Sequence, residues 1–156
     1  MKSTFFAAML ALSAGMVSAQ TIEVKNAWVR TAVPGQSGTG AFMTLTAKDG
    51  AKLVGVSTPV ADVAEVHEMK MENDIMRMRA VPVLDLPAGK AVQLKPGGYH
   101  VMLMALNQAL PKGATVPLTL TFKDAKGQES KVELKLPVAA SAPGAAMPAS
   151  GTGHKH

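Results

Sequence analysis

Cysteine is missing from this sequence altogether. That excludes a disulfide framework, a zinc–thiolate site and a blue-copper centre, which needs a thiolate ligand. Aromatic residues are scarce, at 4% with one Trp and one Tyr. Lys and Arg are scattered among acids, as in Lys123-Asp124 and Glu129-Ser130-Lys131, and form no basic block. Few aromatics and no concentrated positive charge argue against nucleic-acid binding. No long segment carries a helical period, and no apolar run reaches the roughly 20 residues of a membrane-spanning helix. Paired carboxylates near a histidine, a nucleophile motif and an open catalytic metal constellation are also missing, so an enzyme is not expected.

The first stretch reads as a leader. Lys2 supplies a positive start, Phe5 to Ala14 an apolar run, and Val17-Ser18-Ala19 the small residues that a signal peptidase reads. Residues 1–19 are therefore expected to be a signal peptide, cleaved between Ala19 and Gln20. An uncleaved anchor is the weaker alternative, given the small-residue exit and the polar Gln20-Thr21 that follow. Lys2 is the only charge lost, so the formal net charge falls from +5 to +4. The expected product is an exported monomer with no membrane span.

From residue 20 to residue 138 the pattern is all-β. Short runs rich in β-branched and apolar residues are separated by breakers such as Pro34-Gly35, Asp49-Gly50, Pro87-Ala88-Gly89, Pro96-Gly97-Gly98 and Pro111-Lys112-Gly113. Eight to nine strands at this spacing predict a sandwich or a Greek-key barrel. Residues 139–153 are almost all Ala, Ser, Pro, Gly and Thr, and the chain closes on His154-Lys155-His156. Such a composition buries too little apolar surface to order itself, so 139–156 is expected to be a flexible tail.

What is abundant is methionine. Of 11 in the sequence, Met1, Met9 and Met16 lie in the leader, and six of the other eight fall within Met69–Met78 and Met102–Met104. Strand side chains alternate faces, so His67, Met69 and Met71 share one face, with Glu68 and Lys70 on the other. A two-residue turn at Asn73-Asp74 sets Met71 opposite Met76 and Met69 opposite Met78, and leaves His67 diagonal to Met78. His100 and Met102 likewise share a face, and Met104 continues their row. The alternate row, Val101, Leu103 and Ala105, suits the core, which leaves His100 and Met102 near an edge or a strand end.

Imidazole and thioether together make a candidate soft-metal site. Thioether sulfur is neutral and polarisable, and selects Cu(I) over Mg, Ca or Zn. Against this stands packing: Met fills irregular core gaps, and a strand histidine is more often a hydrogen-bonded structural residue than a ligand. Coincidence favours the metal. Outside the tail and the leader there are only two histidines, His67 and His100, and both adjoin a Met-rich strand.

The same residues carry a resemblance. The chain resembles the periplasmic copper chaperones called PCu(A)C, whose signature is a His, ten residues, a Met, twenty-one residues, then His-x-Met. His67, Met78, His100 and Met102 meet that spacing without a gap. The surroundings are similar too: Ala27-Trp28-Val29-Arg30, Val66-His67-Glu68-Met69, Met76-Arg77-Met78-Arg79, Leu86-Pro87-Ala88-Gly89 and Pro96-Gly97-Gly98-Tyr99-His100-Val101-Met102. The resemblance covers Ile22 to Val138. It implies a cupredoxin-like β-sandwich in the periplasm, with an exposed Cu(I) held by His67, Met78, His100 and Met102. It implies delivery of that copper to a cytochrome oxidase subunit or another protein of copper-centre assembly. It also implies a weaker second site, for Cu(II), in the tail, for which Met147, His154 and His156 are the candidates. A copper store without a dedicated acceptor remains the alternative role.

Overall fold

The structure, a computed structural model, describes residues 21–142. Among them are ten strands and no helix: β1 (Ile22–Arg30), β2 (Gly38–Ala47), β3 (Ala51–Ser57), β4 (Ala61–Glu72), β5 (Ile75–Ala80), β6 (Leu84–Leu86), β7 (Ala91–Leu94), β8 (Tyr99–Leu106), β9 (Thr115–Lys123) and β10 (Glu129–Ala139). Nine of them answer to the eight to nine strands expected from the sequence. The tenth, β6, has three residues, too few to show an alternation, yet it buries both Leu84 and Leu86.

The strands follow the order β5-β4-β8-β2-β1-β10-β9-β3-β6, with β7 also on β2. β10 joins the two layers: Glu129–Pro137 pair antiparallel with β9, and Val138 and Ala139 lie parallel to the end of β1. The links from β2 to β3, β3 to β4, β5 to β6, β6 to β7 and β8 to β9 all pass from one layer to the other, the connectivity of a Greek-key sandwich. Between the layers, Leu45, Val66, Val101 and Leu103 from one side meet Leu53, Leu118, Phe122 and Leu136 from the other. Each fully buried side chain of this size contributes about 1.5–3 kcal/mol through apolar burial.

One irregularity prepares the site. β2 pairs with β7 along Met43–Thr46 and with β8 along Gly38–Ala41, on the same edge. β7 and β8 therefore run as a single strand interrupted at Lys95–Gly98. The Gly98 N–H donates to the Lys95 carbonyl (3.1 Å) and the Lys95 N–H to the Tyr99 carbonyl (2.8 Å), so the interruption closes on itself as a loop. Gly97, at φ +85°, occupies a backbone region closed to most side chains. The Pro-Gly-Gly of the sequence thus ejects a loop from the sheet without ending the strand.

The row assignment on β8 needs one correction. Val101 and Leu103 are fully buried, as expected, but Ala105 is exposed, with φ +53°. The strand twists there and drops Ala105 out of the core row. β8 is also an interior strand, between β4 and β2, although His100 does lie near its start.

Candidate metal centre

β4 and β5 form the expected hairpin. Met69 pairs with Met78, Met71 with Met76, and Glu72 with Ile75. Asn73 and Asp74 make the turn with φ of 51° and 64°. Two left-handed residues are what a two-residue type I′ turn requires, and Asn and Asp tolerate that region better than most. Charged residues fill one face, where Arg79 bridges Glu68 at 3.3 Å and Arg77 approaches Glu72 at 3.9 Å. Glu68 thus points away from the histidines. The other face is left to His67, Met69, Met71, Met76 and Met78.

The β4–β8 register completes that face. His67 pairs directly with His100, and Glu65 with Met102. Because residues two apart on a strand share a side, His67, His100 and Met102 stand together on the outer face, opposite the core row of Val66, Val101 and Leu103. Met78 joins them diagonally across Met69. Four residues spread over 36 positions thereby reach one patch on three adjacent strands.

An aromatic row flanks the patch. Ring centroids are 6.1 Å apart for His67–His100, 6.4 Å for His100–Phe42 and 4.8 Å for Phe42–Trp28, a line running across β4, β8, β2 and β1. The Arg30 guanidinium lies 5.2 Å from the centre of the Phe42 ring. Gly40 makes room for this row: a Cβ there would come within 2.9 Å of the Phe42 Cζ. Phe42 and Trp28 are both buried, so this side of His100 is walled off from water.

Hydrogen bonds fix both imidazoles. The Gly98 carbonyl, 3.2 Å from Nδ1 of His100, can only accept, so Nδ1 carries the proton and the lone pair lies on Nε2. Glu65 Oε2 is 3.0 Å from Nε2 of His67. The carboxylate can only accept, so Nε2 donates to it, and Nδ1 is the nitrogen left to offer a lone pair when the ring is neutral. That Nδ1 is buried with no hydrogen-bond partner. Leaving such an atom unpaired costs about 1–3 kcal/mol, a cost that a bound cation would remove.

Met69, Met78, His100 and Met102 line one cavity of about 290 Å³, with Pro96 and Gly97 of the ejected loop on its rim. His67 adjoins it through its pairing with His100. Exposure is graded across the patch: His100 is 6% exposed and Met78 47%. Among the described residues no three His, Asp or Glu side chains gather as a metal cage. The donors on offer are imidazole nitrogen and thioether sulfur, a set that matches a soft monovalent ion. The tail candidates Met147, His154 and His156, like the whole leader, lie outside the described residues.

Sequence reasoning missed Glu65. It sits two residues before His67, and the alternation that grouped His67 with Met69 places Glu65 on that face as well. The aromatic row had no such signal, because Phe42 and Trp28 meet His100 only through pairings of β2 with β8 and β1.

A family model described as LpqE-like, putative lipoprotein, matches residues 22–138. A putative lipoprotein, Lxx21020 of Leifsonia xyli subsp. xyli (strain CTCB07), is 31% identical over 118 residues, covering 75% of this chain and 71% of that protein. The solution structure of apo-DR1885 from Deinococcus radiodurans is 30% identical, with a TM-score of 0.56, over 92% of this chain and 97% of that one. Its Cu(I) form aligns at 29% identity and a TM-score of 0.54, over 81% and 82%. The apo PCuAC domain of PmoF1 has a TM-score of 0.62 at 21% identity, over 77% and 94%, a likeness of fold.

Proposed function

The chain belongs to the LpqE-like family, and from that premise we propose that it is a copper chaperone rather than an enzyme. One Cu(I) binds to His67, Met78, His100 and Met102 and passes to a copper-requiring acceptor. The observation that carries this reading is the direct pairing of His67 with His100, with Met78 and Met102 on the same face and one imidazole nitrogen buried without a partner. The Cu(I) form of DR1885, a similar structure, supports the choice of ion. Two neutral nitrogens and two neutral sulfurs add no charge to the ion, which suits Cu(I). The position on an outer sheet face leaves Met78 open to an incoming ligand.

The acceptor in this proposal is a copper centre of cytochrome oxidase, and the compartment is the periplasm, reached after cleavage behind Ala19. Met147, His154 and His156 would provide a second, weaker site for Cu(II). Titration of the protein with Cu(I) against a competing chelator tests the binding. One tight equivalent is expected, and it should be lost in His100→Ala and weakened in Met78→Leu. Transfer is tested with an apo oxidase copper domain. Copper should move faster than it dissociates spontaneously; if it leaves at the spontaneous rate whatever acceptor is offered, the protein is a copper store. Truncation after Ala142 should leave the Cu(I) equivalent intact and abolish any Cu(II) binding.

A further inference from the structure

The β4–β5 hairpin carries more thioethers than the proposed site uses. Met71 and Met76 pair across the strands two rungs beyond Met69 and Met78, on the same face and nearer the turn. They are 63% and 47% exposed. Packing does not explain them. Met43, which does pack, is 2% exposed, whereas every residue of β5 is exposed and none enters the core. An exposed methionine also carries a liability, since oxidation to the sulfoxide turns an apolar side chain polar. Nor is the hairpin apolar on both sides, since the intervening pair, Lys70 and Arg77, occupies the opposite face.

We propose that Met71 and Met76 form an outer station for a soft monovalent cation, through which Cu(I) enters and leaves the inner site. This rests on the reading of the inner site given above. Opposed strand residues have their Cβ atoms about 4.5–5.5 Å apart, so two long thioethers can close on one ion. The next pair, Met69 and Met78, lies two residues along, roughly 7 Å away at strand rise. Met78 belongs to both the track and the inner site. An ion moving inward exchanges the Met71 and Met76 sulfurs for those of Met69 and Met78, then for the imidazoles. Between the methionine pairs each Cu–S bond that forms replaces one that breaks, and at the last exchange Cu–N bonds to the imidazoles replace Cu–S bonds. The sulfurs are neutral throughout, so no proton or electron moves and copper stays Cu(I).

The test uses the full-length mature chain with 13C-methyl-labelled methionine and Ag(I) as the probe. The first equivalent should shift the Met78 and Met102 methyls, and further Ag(I) should shift Met71 and Met76 together. The double variant Met71→Leu/Met76→Leu preserves size and apolar character. It should keep the tight Cu(I) equivalent at unchanged affinity but exchange Cu(I) with a small chelator about tenfold more slowly, as loss of one stabilised step in the path predicts. Silent Met71 and Met76 methyls, or wild-type exchange in the variant, would overturn the outer station while leaving the inner site standing. Slowing confined to transfer to a protein acceptor would also overturn it, and would make the pair a docking contact. If the Met78 and Met102 methyls do not respond to the first equivalent, it is the inner-site reading that fails.

Discussion

His67 shows how much depends on a single side chain's neighbours. Its ring is held by Glu65 on one nitrogen and left unpaired on the other, so the carboxylate chooses which nitrogen can face a metal. Removing such an outer partner commonly costs 10–100-fold in metal affinity. Glu65→Ala should therefore weaken Cu(I) binding by at least about tenfold in a chelator competition. Its unfolding midpoint in urea should barely move, because the Glu65 side chain is exposed and lies outside the core. The faces of His67, Met69, Met71, His100 and Met102 were legible from alternation alone. Which nitrogen of each ring is free was not, because that depends on the Gly98 carbonyl, brought near by the ejected loop, and on a carboxylate distance that no periodicity encodes.

The β4–β5 hairpin is a separable element. β5 is an edge strand paired only with β4, and it contributes nothing to the core. Arg77 and Arg79 keep that open edge from pairing with another sheet. Its register rests on the turn at Asn73-Asp74, with exposed ion pairs adding well under 1 kcal/mol each. A β-branched residue at Asp74 cannot accept φ +64° without strain. Asp74→Val should cost the hairpin about 1–2 kcal/mol, seen as faster amide exchange across residues 69–78 and weaker Cu(I) binding. The thermal midpoint should change little, because the core is untouched. This element was the most legible part of the sequence, its turn residues and pairing being local. β6 escaped notice because three residues carry no period, and Ala105 left its row because a positive φ breaks the alternation on which the reading depended.

At the scale of the molecule, the site is a by-product of two sheets closing over one core. The inner rows of β4 and β8 bury Val66, Val101 and Leu103, and this obliges His67, His100 and Met102 to face outward together. Phe122 lies across the core from them and is completely buried. Phe122→Ala should cost about 3–5 kcal/mol through the cavity it leaves, lowering the thermal midpoint by on the order of 10–20 °C in calorimetry. Metal affinity measured well below that transition should stay close to wild type, since Phe122 touches none of the proposed ligands. By itself, the sequence determined the all-β class, the hairpin register and the donor chemistry, because strand periodicity, turn residues and the absence of cysteine act locally or through composition. Only the tertiary structure decided that β4 and β8 are neighbours, that β7 and β8 are one strand with a loop thrown out of it, and that Trp28, Phe42 and His100 line up. Those facts depend on which strands pair across long stretches of chain, and that choice is made by burying the core as a whole.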